Sequence, residues 1–462
     1  MPEEPDQPER PDQPEPRGVD LPRKAVARTA RLAALPLGYA TRTAVGLGKR
    51  LGGQTAESVA SDIQQRTAEQ LFRTLGELKG GAMKFGQALS VLESALPEEV
   101  AAPYRDHLRR LQDSAPPMPT QTVRQEIEKE LGPDWREQLV WLDGGPAAAA
   151  SIGQVHRGRW ADGREVAVKV QYPGAGEALM SDLRQLSRLA RGVSPLFPGV
   201  DAKPLIAEIQ ARAADELDYH LEAEAQQAFA DAFADDPDIM VPPVVAAGTT
   251  VLVSEWLESP QSIAGIIAEG TREERDHYGE LLVRFLFSGP ARTGMLHADP
   301  HPGNFRVIPH ADGSPGQLGV LDYGAVARLP ERQLPRAMGT LMRIAAHEQP
   351  DRLVDGLRAE GFIRDNVKVE PELVLAYLAP FVEPTRTERF RFSREWMRGQ
   401  FQRLNDPSDP TFAMATKLNL PPSYMLIHRT WLGGIGLLSQ LEAEAPFRAI
   451  LEESLPGFAD PR

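Results

Sequence analysis

A ten-residue stretch, LHADPHPGNF at 296–305, concentrates the side chains that are best suited to chemistry. His297, Asp299 and Asn304 fit the spacing H-x-D-x-x-x-x-N of a phosphoryl-transfer catalytic loop. In such a loop the aspartate orients the attacking group or accepts its proton, and the asparagine amide oxygen binds a metal ion. A metal site built on His297 and His301 is disfavoured, because the sequence supplies no clear set of additional ligands.

A second acidic motif follows the next predicted strand. In LDYGAV, at 321–326, Asp322-Tyr323-Gly324 stands where kinases carry Asp-Phe-Gly after the catalytic loop. Asp322 would hold the Mg²⁺ ion that bridges the phosphates of a nucleotide. Asn304 and Asp322 are therefore the predicted metal ligands.

A lysine within a predicted strand is the candidate phosphate contact. Lys169 lies in EVAVKVQYP, at 165–173, and would reach the α- and β-phosphates of a nucleotide. Taken alone, the pattern also suits an ordinary lysine at a sheet edge. A hinge-like strand, VLVSEWLES at 251–259, falls between the predicted lobes, and its Glu255 is assigned to the nucleotide site.

The acidic segment ADELDYHLEAEAQ, at 214–226, supplies candidate partners for this lysine. Helical spacing predicts that Asp218 and Asp215 share a face with Glu222, while Glu216 points elsewhere. One of these acids would fix the lysine side chain, and a solvated acidic helix face is the alternative. Two rival partners lie nearer in sequence, Glu177 and Asp182.

The segment GGPAAAASIGQVHRG, at 144–158, stands where kinases cover the phosphates with a glycine-rich loop. Alanine has less backbone freedom than glycine, so we expect a stiffer loop and a different grip on the nucleotide. The alternative is the start of an Ala-rich helix. The absence of a G-x-x-x-x-G-K-[ST] sequence argues against a P-loop NTPase. The candidate nucleotide contacts of this loop are Ala148, Ala149, Ala150 and Ser151.

The order of the patterns predicts an α+β fold with two lobes, because strands with few helices precede a mainly helical half. An Asp162-Gly163 pair between two β-prone runs predicts a hairpin turn. Helices are predicted at 123–131, 177–191 and 203–233, and strands at 152–159, 165–171, 241–246, 250–256, 306–308 and 319–321. The predicted domains are a tail at 1–20, a helical extension at 21–118, an N-lobe at 119–258 and a C-lobe at 259–462.

Composition restricts the classes of function. The chain has 462 residues, with 51 basic and 65 acidic side chains and a net charge of −14, which argues against a nucleic-acid-binding protein. The absence of cysteine excludes disulfides, thiolate metal sites and cysteine nucleophiles, and suits the cytoplasm. The N-terminus shows no secretory signal, and Thr430–Leu441, the longest uncharged stretch near the C-terminus, is shorter than the roughly 20 residues of a membrane span.

Two segments at the N-terminus differ in the sign of their charge. Residues 1–20 are acidic and rich in proline, which predicts a disordered tail. Residues 21–53 carry basic side chains interleaved with leucine and valine and contain no acid. Such a segment can lie on an anionic membrane surface, and the alternative is a linker helix that docks on an acidic body. The expected location is cytoplasmic or peripheral at the inner membrane face.

Together these motifs resemble the ABC1/UbiB family of atypical kinases, also called the AarF or ADCK group. The resemblance covers roughly Ala60 to Ala345, and KxGQ ahead of an Ala-rich loop is not a general kinase feature. The segments that carry it are KFGQ (Lys84 to Gln87), AAAASIGQVHRG, VAVKVQYP, ELDYHLEAE, HADPHPGNF and LDYGAV.

The resemblance implies a kinase-like fold with an added N-terminal helical extension. That extension lays the KxGQ helix across the place where a protein substrate would bind. Lys84 and Gln87 would then reach the nucleotide pocket, with Lys84 meeting Glu216 of an E-x-D motif that ends at Asp218.

The resemblance also implies a pairing of Lys169 with Glu222 and the use of ATP or ADP with Mg²⁺. The implied activity is ATP hydrolysis or small-molecule phosphorylation linked to isoprenoid quinones or other lipids, rather than protein phosphorylation. Many bacterial members that resemble this chain end in transmembrane helices. None is predicted here, so membrane contact would depend on 21–53.

Two other functions stay open beside catalysis. A stiff Ala-rich loop and an occluding KxGQ helix favour a nucleotide-sensing scaffold for a lipid-biosynthesis complex, whereas the full set of catalytic residue types favours an enzyme. A protein serine/threonine kinase is the third candidate, and it is less favoured because no A-P-E sequence follows Asp322.

Overall fold

The computed structural model describes residues 117–150, 152–177, 180, 214–406 and 408–459. All described residues belong to one compact unit, Leu75–Arg462. The domain limits given above remain predictions. The predictions that fall outside the described residues concern the tail 1–20, the basic segment 21–53, Lys84, Gln87, Ser151, Asp182, most of the helix predicted at 177–191 and the first part, 203–213, of the helix predicted at 203–233.

The first described elements form an antiparallel sheet of six strands with helices against it. Five strands run in the order β1-β3-β4-β7-β6, and β2 pairs with β3. The elements are α1 (Thr120–Leu131), α2 (Trp135–Gln138), β1 (Leu139–Leu142), β2 (Ala148–Ala149), β3 (Gly153–Trp160), β4 (Glu165–Gln171), α3 (Tyr219–Ala232), β6 (Val244–Ala247) and β7 (Val251–Glu255). Strand β5 (Ile239–Met240) lies outside this sheet and pairs parallel with Gln317–Val320.

The central hairpin of this sheet is the predicted one. Strands β3 and β4 pair antiparallel, and Gly163 in the turn takes a positive φ of 93°, which glycine adopts without strain. Alternation along β4 buries Val166, Val168 and Val170 completely against α1. Lys169 therefore lies on the opposite face of the sheet, because side chains alternate along a strand.

The predicted helix at 203–233 does not run through the acidic segment in the described residues. The chain turns at residues 216–217, and α3 begins only at Tyr219. Asp218 is extended (φ −108°, ψ 101°), and its side chain accepts a hydrogen bond from the backbone N–H of His220. The prediction that Asp215 and Asp218 share a helical face with Glu222 is therefore wrong, because Asp218 caps the helix instead of lying within it.

The second half is mainly helical, with short strands. Its elements are β8 (Gln261–Ser262), α4 (Ile263–Glu269), α5 (Arg272–Thr293), β9 (Met295–His297), β10 (Phe305–Ile308), β11 (Gln317–Val320), β12 (Val326–Arg328), α6 (Arg336–Ala346), α7 (Pro350–Ala359), α8 (Pro371–Tyr377), α9 (Ala379–Val382), β13 (Phe390–Arg391), α10 (Arg394–Asn405), α11 (Met425–Leu441), β14 (Glu444–Ala445) and α12 (Phe447–Ser454). Short 3-10 helices occupy Pro302–Asn304, Glu383–Thr385, Pro410–Thr416 and Pro422–Tyr424.

A buried aromatic cluster joins the elements around the candidate site. The ring of Phe285, on α5, lies 5.7 Å from that of Phe229 on α3, 5.5 Å from that of His297 and 6.2 Å from that of Phe305. Strand β9 pairs with β12 and β10 pairs with β11, both antiparallel. These pairings place the β9–β10 loop, with Asp299, beside the β11–β12 loop.

The fold confirms the α+β class, and it corrects the sequence analysis in local detail. The Ala-rich loop does not start a helix, because Ala148 and Ala149 pair as a strand with Gln154 and Val155. Strands β1, β9 and β12 were not predicted, since each has only three or four residues and so shows little periodicity. Among the described residues, every helix is too short or too polar to cross a membrane.

Candidate active site

Lys169 and Glu222 form a buried ion pair. The Nζ atom of Lys169 donates a hydrogen bond to Oε1 of Glu222 at 2.6 Å, and their side chains are only 16% and 4% exposed. The ammonium group also lies 5.1 Å from the ring centroid of Tyr219, the first residue of α3. Of the acids left open by the sequence, Glu222 is therefore the partner, and Glu177 is exposed.

A second carboxylate approaches the same ammonium group. Oδ1 of Asp322 lies 3.8 Å from Nζ of Lys169. Burial alone would lower the pKa of Lys169, but the nearby charges of Asp322 and Glu222 outweigh it and hold the pKa above its ordinary value. Lys169 is therefore a fixed positive charge between two acids.

The β9–β10 loop holds Asp299 and Asn304 together. The side-chain amide of Asn304 donates to the backbone carbonyl of Asp299 at 3.1 Å and to its carboxylate Oδ2 at 3.0 Å. The backbone N–H of Leu321 donates to the carbonyl of Asn304 at 3.0 Å, which ties this loop to the residue before Asp322. The structure thus brings Asp299, Asn304 and Asp322 into one region, as their order in the sequence predicts.

His297 is a structural link between the two loops. Its Nε2 lies 2.7 Å from the backbone carbonyl of Asp322, and because a carbonyl only accepts, Nε2 carries the proton. Burial lowers the pKa of His297, so the ring stays neutral at pH 7. Nδ1 of His301 accepts from the N–H of Gly303 at 3.2 Å. Within the described ranges no group of three His, Cys, Asp or Glu residues could hold a metal, so the disfavoured histidine site gains no support.

The Asp-Tyr-Gly turn shapes the candidate metal position. Oδ1 of Asp322 accepts from the N–H of Gly324 at 2.9 Å, and the side chain remains 35% exposed. A Cβ atom added at Gly324 would lie 3.2 Å from Oδ1 of Asp322 and 3.4 Å from Oε2 of Glu222. Because glycine has no Cβ atom, the carboxylates of Asp322 and Glu222 can both lie close to the backbone at this position. The oxygens of Asp322 and Asn304 form the kind of donor set that Mg²⁺ takes together with water and phosphate.

The Ala-rich loop lies against β3 as a strand. The backbone N–H groups of Ala147 and Ala150 donate to the carbonyls of Val155 and Gly153. A Cβ atom at Gly153 would lie 2.2 Å from the carbonyl oxygen of Val170, so only glycine fits there. The backbone amides of Ala147 and Ala150 are therefore already hydrogen-bonded to β3. In this respect the loop differs from a glycine-rich loop whose backbone amides all point toward a phosphate. The nucleotide contacts assigned to Ala148, Ala149 and Ala150 remain predictions.

Glu255 is the candidate residue whose side chain the structure does not bring to the site. It pairs across the sheet with Val166, so its side chain lies on the face opposite Lys169. Its carboxylate forms an ion pair with Arg164 at 2.7 Å. Glu216 lies partly buried in the turn before α3, and its predicted partner Lys84 is outside the described residues.

Sequence reasoning missed one charged residue beside the catalytic loop. Nη2 of Arg429, in the first turns of α11, lies 3.7 Å from Oδ1 of Asp299. Arg429 lies far along the chain from the motifs, so no residue spacing in the sequence could predict its contact with Asp299. Tyr219, whose ring lies next to the ammonium group of Lys169, was also missed, although it directly follows Asp218, one of the acidic residues that were considered.

The match to a known family covers the motif residues of this site, from Lys169 to Asp322. A family model described as the ABC1 atypical kinase-like domain matches residues 110–353, which is more than half of the chain. The rat protein named atypical kinase COQ8B, mitochondrial, is 31% identical over 309 residues, or 66% of this chain and 57% of the rat protein. The budding-yeast atypical kinase COQ8 is 29% identical and aligns with 66% of this chain and 60% of its own length.

A solved structure is similar to a larger part of this chain. The Mycobacterium tuberculosis protein Rv3197, in complex with erythromycin, is 40% identical with a TM-score of 0.66, covering 88% of this chain and 100% of the other. The chain spans about half the length of several curated relatives that it matches. The match of the family model, supported by the kinase names of the relatives, confirms the resemblance drawn from the motifs, and the chain belongs to the ABC1 atypical kinase-like family.

Proposed function

We propose that the chain binds ATP with Mg²⁺ beside Lys169 and transfers or hydrolyses its terminal phosphoryl group. The observation that carries the proposal is the position of Lys169 between Glu222 and Asp322, at 2.6 and 3.8 Å. A buried cation held between two acids is pre-organised to meet phosphate oxygens without further ordering.

Each residue has a role in this proposal. Lys169 orients the phosphates, and Glu222 fixes Lys169. Asp299 orients the attacking hydroxyl or water, and Asn304 and Asp322 hold Mg²⁺, which neutralises negative charge on the phosphates. The hydrogen bond from Asn304 to Asp299 supports this division, because it leaves the amide oxygen of Asn304 available as a ligand.

The acceptor that we propose is an isoprenoid or other lipid rather than a protein. The lipid acceptor is what the resemblance to the ABC1/UbiB family implies, and the names of the COQ8 relatives support the kinase part of the proposal, since they describe atypical kinases. The basic segment 21–53 is the proposed peripheral contact with an anionic membrane surface. The rival proposal is a scaffold that binds the nucleotide but releases no product.

Thermal melting with and without MgATP or MgADP tests the nucleotide site. A ligand that binds only the folded state raises the melting temperature, so both nucleotides should stabilise the wild type. Asp322→Asn removes a proposed metal ligand and should abolish the stabilisation. Asp365→Asn, a change at an exposed acid, is the matched control and should respond as the wild type does.

Turnover assays then separate the enzyme from the scaffold. Mg-dependent release of ADP that rises with added lipid vesicles supports catalysis, and Asp322→Asn should abolish it. Nucleotide binding without product under the same conditions supports the scaffold. If neither nucleotide shifts the melting temperature of the wild type, the proposed nucleotide site is wrong.

A further inference from the structure

Arg429 reaches the catalytic loop from a region that no motif marks. The family model ends at residue 353, so Arg429 lies beyond the part of the chain that this model matches. Its guanidinium Nη2 lies 3.7 Å from Oδ1 of Asp299, and the two side chains are 50% and 15% exposed. An exposed cation thus faces an acid that is mostly buried.

The helix that carries Arg429 is firmly anchored. Ile427, Thr430 and Trp431 are buried on either side of Arg429. The ring of Trp431 meets that of Phe287, on α5, edge to face at 5.0 Å. The backbone at position 429 is therefore fixed by packing on α5, and the long side chain extends from this fixed point to the loop.

Asp299 is held from two sides. Its Oδ2 accepts a hydrogen bond from the amide of Asn304, and its Oδ1 faces Arg429. In the proposed function, Asp299 lies next to the terminal phosphate of ATP, where two negative groups would repel each other. A guanidinium at this point offsets the charge of the carboxylate without removing its ability to orient a nucleophile.

We propose that Arg429 is a positioning residue, which neutralises Asp299 so that the terminal phosphate of ATP can approach the catalytic loop. This inference rests on the proposed function and deepens it. If Arg429 has this role, it also affects the preference for ATP over ADP, because ADP lacks the phosphate that comes nearest to Asp299.

Binding of two ligands, β,γ-imido-ATP and ADP, each with Mg²⁺, tests the inference without relying on turnover. Arg429→Gln exposes the terminal phosphate to an uncompensated carboxylate, and should weaken binding of the ATP analogue by about tenfold. The Kd for MgADP should stay within about twofold of the wild type, because its charge lies farther from Asp299 and is screened. Arg429→Lys keeps the positive charge, so its affinity for the ATP analogue should lie between those of the wild type and Arg429→Gln.

A double variant separates this role from a general effect on the fold. If Arg429 acts through Asp299, the double variant Asp299→Asn, Arg429→Gln should regain affinity for the ATP analogue, because the repulsion disappears with the carboxylate. Arg448→Gln on α12 is the matched control, since Arg448 is a partly exposed arginine paired with Glu452. It should bind both nucleotides as the wild type does.

Each other outcome has a defined meaning. If the wild type binds both nucleotides and Arg429→Gln binds them equally well, the inference is wrong while the proposed function stands. If Arg429→Gln weakens both nucleotides to the same extent, or the double variant shows no recovery, Arg429 does not act through Asp299. If the wild type binds neither nucleotide, the proposed function fails and the inference with it.

Discussion

Two ion pairs in this protein differ in almost every physical respect. The pair Lys169–Glu222 joins a sheet strand to α3 at 2.6 Å, with both side chains nearly buried. The pair Arg429–Asp299 joins α11 to the catalytic loop at 3.7 Å, with the guanidinium half exposed. A buried pair is costly to break because it leaves an uncompensated charge, whereas an exposed pair contributes little to stability.

The difference assigns the two pairs to different tasks. The buried pair belongs to the structure of the site, because the fold needs both partners. The exposed pair can be removed at small cost in folding, so an effect of its removal on ligands would be functional rather than structural. Substitutions at Glu222 and Arg429 test this comparison, and one at Tyr323 tests a buried polar group that is not part of an ion pair.

Glu222→Gln should have the largest effect on stability. It leaves the ammonium of Lys169 buried, with the carboxylate of Asp322 3.8 Å away, and should lower the free energy of unfolding by about 3 kcal/mol. Urea denaturation measures the change. Glu224→Gln is the matched control on the same helix, since Glu224 pairs with Arg328 while 65% exposed. Equal losses in the two variants would remove the distinction between buried and exposed pairs.

Tyr323→Phe should have a smaller effect of opposite sign. The hydroxyl of Tyr323 is buried and has no hydrogen-bond partner within the part of the chain that the structure describes, and burial raises the pKa of this phenol well above its usual value. Removal of an unsatisfied buried hydroxyl should raise the free energy of unfolding by about 1 kcal/mol.

The matched control for this change is Tyr278→Phe. The hydroxyl of Tyr278 accepts a hydrogen bond from the N–H of Gly316 at 3.2 Å, so its loss should destabilise the fold. If both tyrosine variants lose stability in calorimetry, the hydroxyl of Tyr323 has a partner such as an ordered water, and the predicted gain is wrong.

Arg429→Gln should have the smallest effect. With the guanidinium 50% exposed, its loss should change the free energy of unfolding by no more than about 0.5 kcal/mol. Urea denaturation under the conditions used for Glu222→Gln gives a direct comparison. A loss as large as that of Glu222→Gln would mean that Arg429 packs as part of the core, and its proposed role at Asp299 would need another basis.

The sequence predicted the parts of the site whose chemistry depends on short spacings. Asp299 and Asn304 lie five residues apart in one loop, and the hydrogen bond between their side chains follows from that spacing. The hairpin that carries Lys169 was also predictable, because alternation and the Asp-Gly turn both indicate it. The roles of these residues in binding nucleotide and metal remain predictions.

Other features depend on contacts between distant segments or on a local choice between two structures. Arg429 meets Asp299 only because α11 packs on α5, and no local pattern encodes that contact. The side chain of Glu255 faces away from Lys169 because of the register between β4 and β7, which the sequence alone does not specify. The start of α3 was missed because helical periodicity continues through Asp218, although an aspartate is also a preferred N-cap.

The cap at Asp218 has a consequence for the interpretation of mutant phenotypes. Asp218 belongs to the E-x-D motif that the family resemblance assigns to gating, and it also starts the helix that presents Glu222 to Lys169. An alanine at this position would fray the first turn at a cost of about 1 kcal/mol, whereas asparagine caps a helix as well as aspartate does. A genetic screen that scores Asp218→Ala alone would therefore confuse loss of a helix start with loss of a gate, and only the contrast with Asp218→Asn would distinguish the two.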